Sequence, residues 1–364
     1  MLFPKITIFK NIDWLLLVAV FLLICFGLST LYSLALGSEN KSFNLLEKQI
    51  ISSLLGLVFM FVFIVLDYRV WRSVAPWLYA IAFILLLLVL FFGKNIQGTT
   101  GWFVLSKLSF QPIELAKIVI VIVLAKFFAH RSKLDVQISL WLKSFLIIIP
   151  FCVLVLLQPD FGSMAVIFLV WIAMLWFHGF NKKYFLFFLI IVLLMAIVSW
   201  QFLLVPYQKE RVLTFLNPQA DLLKSGYNVH QSMVAIGSGG FWGRRLGLGT
   251  QSQLHFLPVS EADFIFAALG EELGFIGASV LFVLYLIVFY RLFKIIKNTK
   301  DDFGTFLVFG FAMIFFIQLV INVGMAVGIL PVTGLPLPFV SYGGSFLIMS
   351  LIAVGMVQGI KIRS

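Results

Sequence analysis

The run WLLLVAVFLLICFGLSTLYSLAL, from Trp14 to Leu36, contains no charged residue. A membrane-spanning helix needs about 20 predominantly apolar residues, so this run is long enough to cross a bilayer. It is also longer than the core of a signal peptide and shows no convincing small-residue cleavage site. We therefore interpret it as a retained first membrane helix.

The composition extends this interpretation to the whole chain. Of the 364 residues, 62% are hydrophobic and 11% are charged, whereas a soluble domain averages about a quarter charged residues. Such a chain cannot cover itself with polar surface, so lipid is its solvent. The net charge of +11 would suggest nucleic acid in a soluble protein. Here the basic residues lie mostly in short connectors, and we expect no nucleic-acid partner. Cys25 and Cys152 fall inside apolar runs, so no disulfide or metal framework is predicted.

Further apolar runs fill most of the sequence. We predict an all-α integral membrane protein of about ten helices, with a single polytopic domain over 1–364 and a large extracytoplasmic loop, 206–262, between helices 7 and 8. The predicted spans are 13–36, 49–67, 74–92, 113–129, 142–158, 162–178, 184–205, 273–290, 303–326 and 339–359.

Basic residues are distributed unequally between alternate connectors. One set of connectors holds sixteen lysines and arginines, whereas the short connectors of the other set hold only Lys41, Lys48, Lys94 and Lys107. Cytoplasmic connectors are enriched in Lys and Arg. We therefore predict a multi-pass protein of the cytoplasmic membrane with both termini in the cytoplasm.

The loop 206–262 contains a glycine-rich stretch, Gly237 to Thr250, which can approach a ligand closely or fold back at the bilayer edge. Long ordered loops are usually functional, and the alternative is a flexible connector. Regularly spaced apolar residues favour packing over disorder: Val229, Met233, Ile236, Phe241, Trp242, Leu246 and Leu248. The loop histidines, His230 and His255, lack the spacing of metal ligands, and we predict no metal site from them.

Five carboxylates lie within or at the edge of apolar sequence, where a charge is costly and is normally paired or faces a polar cavity. They are Glu114, Asp160, Asp263, Glu271 and Glu272. Glu114 and Lys117 share one helix face. Two interpretations stay open: a mutually neutralising pair, or a lysine directed at an anionic ligand and held by Glu114.

Three other polar positions have structural interpretations. Asp160, in the turn QPDFG, is suited to cap the next helix, and we favour capping over catalysis. Gln318 and Asn322 are one turn apart and are typical of an interhelical hydrogen-bonding pair. They precede a proline-rich segment, 328–344, that continues into the last span.

Asp263 has two competing interpretations. Ser260 and Asp263 have capping-box spacing, which would make Ser260 the N-cap and Asp263 the third helical residue. Alternatively, Asp263 joins a polar loop to an apolar run and is held at the membrane surface. Gly270 and Gly274 permit a helix break that would make 261–272 a shallow helix. For Asp263, Glu271 and Glu272 we expect cationic partners from the set Arg211, Arg244, Arg245 and Lys117.

Together these segments resemble the shape, elongation, division and sporulation (SEDS) family of the RodA, FtsW and SpoVE type, and lean toward the RodA branch. The resemblance covers roughly 93–357. It rests on several motifs in order: FQPIELAK (110–117), QPDFG (158–162), YNVHQSMVAIGSGG (227–240), DFIFA (263–267), GEELGFIG (270–277) and PVTGLPLPFVSYGG (331–344).

The resemblance implies a peptidoglycan glycosyltransferase that polymerises lipid II onto a growing glycan strand at the outer membrane face and releases polyprenyl pyrophosphate. Asp263 would be the general base. Supporting roles fall to Glu114, Asp160, Glu271, Glu272, Gln318 and Asn322. Candidate substrate-binding residues are Arg211, Lys117, Arg244, Gln111, Gln231 and Ser232.

Charge on the leaving pyrophosphate needs compensation from these cations or from a divalent ion, Mg²⁺ or Mn²⁺, which is left open. The family implies a class B penicillin-binding transpeptidase as partner. The alternatives are a flippase or transporter of lipid-linked precursors and a scaffold in which the charges only cap and pair.

Overall fold

The computed structural model describes residues 11–37, 43–96, 99–105, 108–131, 138–179, 201, 225–254, 256–257 and 259–364. The predicted seventh span, 184–205, lies outside these residues apart from Gln201, as do Arg211 and His255. Within the described ranges the protein is helical apart from one small sheet. The elements are α1 Trp14–Gly37, α2 Asn44–Val65, α3 Arg69–Phe92, β1 Lys94–Ile96, β2 Thr99–Leu105, β3 Leu108–Phe110, α4 Pro112–Ala129, α5 Ile138–Leu157, α6 Phe161–His178, α7 Ser225–Gly239, α8 Thr250–Gln253, α9 Ile265–Asn298, α10 Asp302–Ala326 and α11 Gly344–Arg363.

The described ranges contain eight helices long and apolar enough to cross a membrane: α1, α2, α3, α5, α6, α9, α10 and α11. Helix α4 matches the predicted fourth span and carries three charged residues, Glu114, Lys117 and Lys126. It is nevertheless almost wholly buried, so it forms the centre of the bundle. The outermost helices present broad apolar faces, because their solvent is lipid.

Helix packing places α4, α10 and α11 inside. In an 18-residue window, 78% of α11 is buried, against 22% of α3. Helix α11 packs against α2, and α4 packs against α3, α10 and α6. Helix α7 lies inside the predicted loop and packs on α9. These contacts bring together, at one end of the bundle, the last turns of α1 and α10 and the first turns of α2, α4, α9 and α11. We call this the Asp263 end.

Helix α9 differs most from its predicted span, 273–290, because it extends in both directions. It is broken at Gly274, whose φ of 63° and ψ of −160° are not helical. This confirms the break that the glycine pattern allowed. The break leaves main-chain groups of α9 without helical partners, and the glycine-rich segment bonds to them. Arg244 and Arg245 donate their N–H groups to the carbonyls of Glu271 and Glu272, at 3.0 and 2.9 Å.

The predicted packing of the loop's apolar side chains is wrong for Met233, Phe241, Trp242, Leu246 and Leu248. Their exposed fractions run from 41% to 78%. The segment is held mainly by its main-chain bonds to α9, although Phe241 also stacks on Phe275, with ring centroids 5.7 Å apart. The last span also starts later than predicted: residues 331–343 are irregular, and α11 begins at Gly344 rather than at 339.

A three-stranded antiparallel sheet, in the order β1-β2-β3, occupies the connector between α3 and α4. Trp102 pairs with Lys94, and Phe103 pairs with Phe110. This sheet was not predicted, although Thr, Val, Trp and Phe in 99–110 are residues that favour strands. It leads directly into Gln111 and the first turn of α4, at the Asp263 end.

Candidate functional site

Asp263 lies in a short non-helical turn, 259–264, that precedes α9. The helix begins at Ile265 with Phe264 as its N-cap, so the predicted capping box, with Ser260 as N-cap, is wrong. The turn is closed by hydrogen bonds from the N–H groups of Ala262 and Phe264 to the carbonyl of Val259, at 3.2 and 3.3 Å. Val259 has a φ of 51°, an unfavourable conformation for a β-branched residue. Such strain persists only where the surroundings impose it.

Three consecutive carbonyls of this turn are held from outside. The Asn322 amide donates to the Asp263 carbonyl at 2.9 Å. The Ser341 hydroxyl donates to the Ala262 carbonyl at 2.6 Å, and the Tyr342 N–H donates to the Glu261 carbonyl at 2.9 Å. Asn322 comes from α10, and the other two come from the segment before α11. The backbone that carries Asp263 is therefore fixed independently of its carboxylate.

The Asp263 side chain is partly exposed and lies over Gly334 of the proline-rich segment. A Cβ atom on Gly334 would lie 3.4 Å from Asp263 Oδ2, and Gly334 has a φ of 71°. Glycine adopts this left-handed conformation without the steric cost that a side chain brings. The proline-rich segment thus supplies one wall beside the carboxylate.

Residues that the sequence did not single out hold this wall. Gln49 of α2 donates to the Ser341 carbonyl and accepts from the Gly343 N–H, both at 3.1 Å. Ser341 also accepts a hydrogen bond from the Leu337 N–H at 2.8 Å. Burial, together with the nearby Glu261 carboxylate, raises the pKa of the Tyr342 hydroxyl above its ordinary value, so this phenol stays protonated. A polar side chain at the start of an apolar run, as at Gln49, was the available signal.

Glu271 and Glu272 are fully buried, and the donors to them in the described residues are uncharged. Glu271 accepts from the N–H groups of Gln251 and Ser252 at 2.8 and 2.9 Å. Glu272 accepts from the Ser33 hydroxyl and from the Gln253 amide, the latter at 3.0 Å. The expected arginine or lysine side-chain partners are therefore wrong in this part of the chain. The two carboxylates fasten α8 and α1 to α9.

Glu114 and Lys117 form a buried ion pair, with Lys117 Nζ 2.7 Å from Glu114 Oε1. The ammonium also lies 5.8 Å from the centre of the Phe346 ring. A cavity of about 20 Å³ adjoins the pair, which is room for about one water molecule. Both interpretations include this ion pair, and the burial of the two side chains favours the neutralising pair.

The proposed substrate-binding residues are dispersed. Ser232 is fully buried and donates to the Ala326 carbonyl at 2.7 Å, so it joins α7 to the end of α10. Arg244 is exposed, and its guanidinium donates to the Ser238 carbonyl at 3.2 Å and to the Thr250 hydroxyl at 3.3 Å. Gln111 stands before α4 with its N–H 3.3 Å from the Ser345 hydroxyl. Gln231 is partly exposed on α7.

The other supporting residues, Asp160, Gln318 and Asn322, differ in how well they match their predicted roles. Asp160 is the N-cap of α6 and accepts from the Ser163 N–H at 2.9 Å, as its motif predicted. Gln318 and Asn322 are both fully buried but do not form the predicted pair of interhelical bonds. Asn322 bonds to the Asp263 turn and to Leu335, whereas neither polar atom of Gln318 has a partner among the described residues. Among the described residues, no group of three or more His, Cys, Asp or Glu could hold a metal ion.

Fold and site together define a polytopic membrane protein with a polar site at one end of its helix bundle. Residues 13–364 match the family described as the FTSW_RODA_SPOVE cell cycle proteins. The peptidoglycan glycosyltransferase MrdB of Escherichia coli (strain K12) is 37% identical over 323 residues, which cover 89% of this chain and 87% of that protein. A probable peptidoglycan glycosyltransferase FtsW of Geobacter sp. (strain M18) is 34% identical and covers 97% of this chain and 98% of its own length.

A solved structure described as a peptidoglycan synthase complex that coordinates polymerization and crosslinking has a chain 33% identical to this one. The TM-score is 0.83, with 96% of this chain and 97% of that chain covered. The chain therefore belongs to the SEDS family and is a peptidoglycan glycosyltransferase. Its assignment to the RodA branch stays a prediction, because relatives of similar identity include both MrdB and FtsW.

Proposed function

We propose that Asp263 is the general base of glycan-strand polymerisation from lipid II. One observation carries the proposal: the Asp263 carboxylate is partly exposed on a turn whose carbonyls are held by three hydrogen bonds. Glu114, Glu271 and Glu272 are instead buried. A general base must reach the proton that it removes from bound substrate, and Asp263 meets that requirement better than these three.

The proposed reaction is a direct displacement. An acceptor sugar hydroxyl attacks the anomeric carbon of the donor, and its proton passes to the Asp263 carboxylate. The bond between that carbon and the pyrophosphate oxygen breaks, and the lipid pyrophosphate leaves with the electron pair. No second carboxylate is needed, because the acceptor hydroxyl is itself the nucleophile. A retaining glycosidase, in contrast, needs one as its nucleophile.

The site is proposed to face the outside of the cytoplasmic membrane, with both termini inside. This orientation follows from the predicted excess of Lys and Arg in the alternate connectors. Cysteine substitutions at Gly334 and Thr299, labelled in intact spheroplasts with a membrane-impermeant maleimide, test it. Labelling at 334 and protection at 299 support the orientation, and the reverse pattern overturns it.

The leaving pyrophosphate is negatively charged. We propose that Arg244, Arg211 or a divalent cation compensates this charge. Mg²⁺ is usually held by one or two carboxylates together with substrate phosphates. The bound pyrophosphate itself would supply most of such a set, without a preformed metal cage in the protein. Polymerisation measured with EDTA and after Mg²⁺ or Mn²⁺ is restored tests this part separately from the role of Asp263.

Purified protein with labelled lipid II separates the enzyme from a lipid-precursor flippase. Asp263→Ala should abolish polymer formation, while Glu261→Gln, a change to the neighbouring carboxylate of the same turn, should retain it. Absence of polymer from the wild-type protein, even with a class B penicillin-binding transpeptidase present, would refute the proposal. Translocation of lipid II by wild type and Asp263→Ala alike, without polymer, would favour the flippase.

A class B penicillin-binding transpeptidase is the proposed partner. The similar chain from a peptidoglycan synthase complex supports this proposal. Co-purification of the two full-length proteins from membranes tests it, and their separate elution under conditions that preserve polymerisation would argue against it.

A further inference from the structure

Asn322 occupies a junction between three parts of the Asp263 end. It lies on α10, one turn before that helix ends, and is fully buried. Its side-chain nitrogen donates to the Asp263 carbonyl at 2.9 Å and to the Leu335 carbonyl at 2.8 Å. One amide therefore joins the Asp263 turn and the proline-rich segment to a buried transmembrane helix.

Gln318 provides an internal comparison. It lies one turn earlier on α10, carries the same functional group and is also fully buried. Within the part of the chain that the structure describes, neither its nitrogen nor its oxygen has a hydrogen-bond partner. An amide at this depth is thus not sufficient to organise the site. The difference lies in what Asn322 contacts.

The two carbonyls that Asn322 holds belong to the two sides of the site. Asp263 carries the carboxylate, and Leu335 directly follows Gly334, over which that carboxylate lies. Shortening or removing the Asn322 side chain frees both carbonyls at once. The separation between the carboxylate and the Gly334 wall would then depend on the remaining contacts of the turn, which include those of Ser341 and Tyr342.

We propose that Asn322 is a positioning residue for the transferase reaction: it sets the placement of the Asp263 carboxylate against the wall formed by the proline-rich segment. This inference rests on the proposed role of Asp263 as general base. Misplacement of a catalytic group by 1 Å can cost about 100-fold in rate. Substrate affinity depends on a wider surface and should change little.

The test uses full-length Asn322→Leu, Asn322→Ser and, as the matched control, Gln318→Leu. Polymerisation of labelled lipid II gives kcat and KM, and a thermal unfolding transition checks that each variant is folded. Asn322→Leu should lower kcat about 10- to 100-fold with KM changed by less than about twofold. Asn322→Ser, which keeps one hydroxyl donor, should fall between it and the wild type. Gln318→Leu should keep the wild-type kcat.

Full kcat in both Asn322 variants, or an equal loss of kcat in Gln318→Leu, would overturn the proposal. If Asn322→Leu does not fold, the Asn322→Ser result decides by the same criteria. Asp263→Ala in the same assay separates the two inferences. If Asp263→Ala is active, the proposal that Asp263 is the general base is refuted. If Asp263→Ala is inactive while both Asn322 variants are fully active, only the positioning role of Asn322 is refuted.

Discussion

Asp263 and the pair Glu271–Glu272 lie within ten residues of each other, yet the structure treats them in opposite ways. At Asp263 the protein holds the backbone and leaves the carboxylate partly exposed. At Glu271 and Glu272 the carboxylates themselves are buried and accept hydrogen bonds from α1, from α8 and from Gly247 of the glycine-rich stretch. The comparison teaches that carboxylates of similar sequence context differ in burial: the fold encloses Glu271 and Glu272 and keeps Asp263 partly exposed.

The ion pair of α4 is buried, as Glu271 and Glu272 are. Breaking it should have the largest effect on the free energy of unfolding. Lys117→Met leaves Glu114 buried without its counter-charge, which should destabilise the protein by about 3–5 kcal/mol. Unfolding in mixed micelles measures the loss. The double variant Glu114→Leu/Lys117→Met removes both charges and should recover most of it. If Lys117→Met alone is as stable as the wild type, then Lys117 does not stabilise the fold by neutralising Glu114.

Glu272→Ala tests the pair on α9. It leaves the Ser33 hydroxyl without its acceptor and removes one of the acceptors of the Gln253 amide and of the Gly247 N–H, both of which also bond to Ser33. We expect a cost of about 1–3 kcal/mol in unfolding free energy. Glu272→Gln keeps an oxygen acceptor and should cost less. Polymerisation per folded molecule should persist in both variants. A Glu272 variant that folds normally but makes no polymer would show that Glu272 takes part in the reaction.

Gly334→Ala tests the wall beside Asp263. A side chain in the left-handed conformation costs about 1–2 kcal/mol, and the new Cβ would lie 3.4 Å from Asp263 Oδ2. We expect modest destabilisation together with reduced polymerisation. Gly237→Ala is the matched control, because a Cβ there meets nothing within 4 Å and helix α7 favours alanine. Equal behaviour of the two variants would refute the close approach.

Asp160→Ala should give the smallest effect. It removes the carboxylate that accepts from the Ser163 N–H at the start of α6, and loss of such a cap costs about 1 kcal/mol. Asp160→Asn keeps an acceptor and should remain near wild type. Thermal unfolding checks both. Complete loss of polymerisation without loss of stability would mean that Asp160 acts in the reaction instead.

Patterns within one segment predicted much of the fold. Continuous apolar runs located the membrane helices, Asp160 in QPDFG predicted the cap of α6, and the glycines of GEELG allowed the break now seen at Gly274. Each of these features depends on neighbouring residues alone. The late start of α11 was missed because the apolar residues of the proline-rich segment continue the hydrophobic pattern of the helix.

Contacts between distant segments could not be predicted. Glu272 bonds to Ser33, 239 positions away in the chain, and a buried acid suggested a cation rather than a hydroxyl and an amide. Asn322 could equally have bonded to a neighbouring helix, because its spacing from Gln318 does not specify a partner. The position of Asp263 at the edge of an apolar run singled it out, and the resemblance gave it its expected role. The held turn around it became visible only in three dimensions.

The pH dependence of polymerisation by Asp263→Asn tests the central claim most directly. The variant keeps the size of the side chain and removes its basicity. We predict that wild-type kcat falls at acid pH as the base becomes protonated, and that Asp263→Asn is slower by about 100- to 10,000-fold and lacks this acid limb. Polymerisation by Asp263→Asn within about threefold of the wild-type rate, with the acid limb intact, would contradict the account.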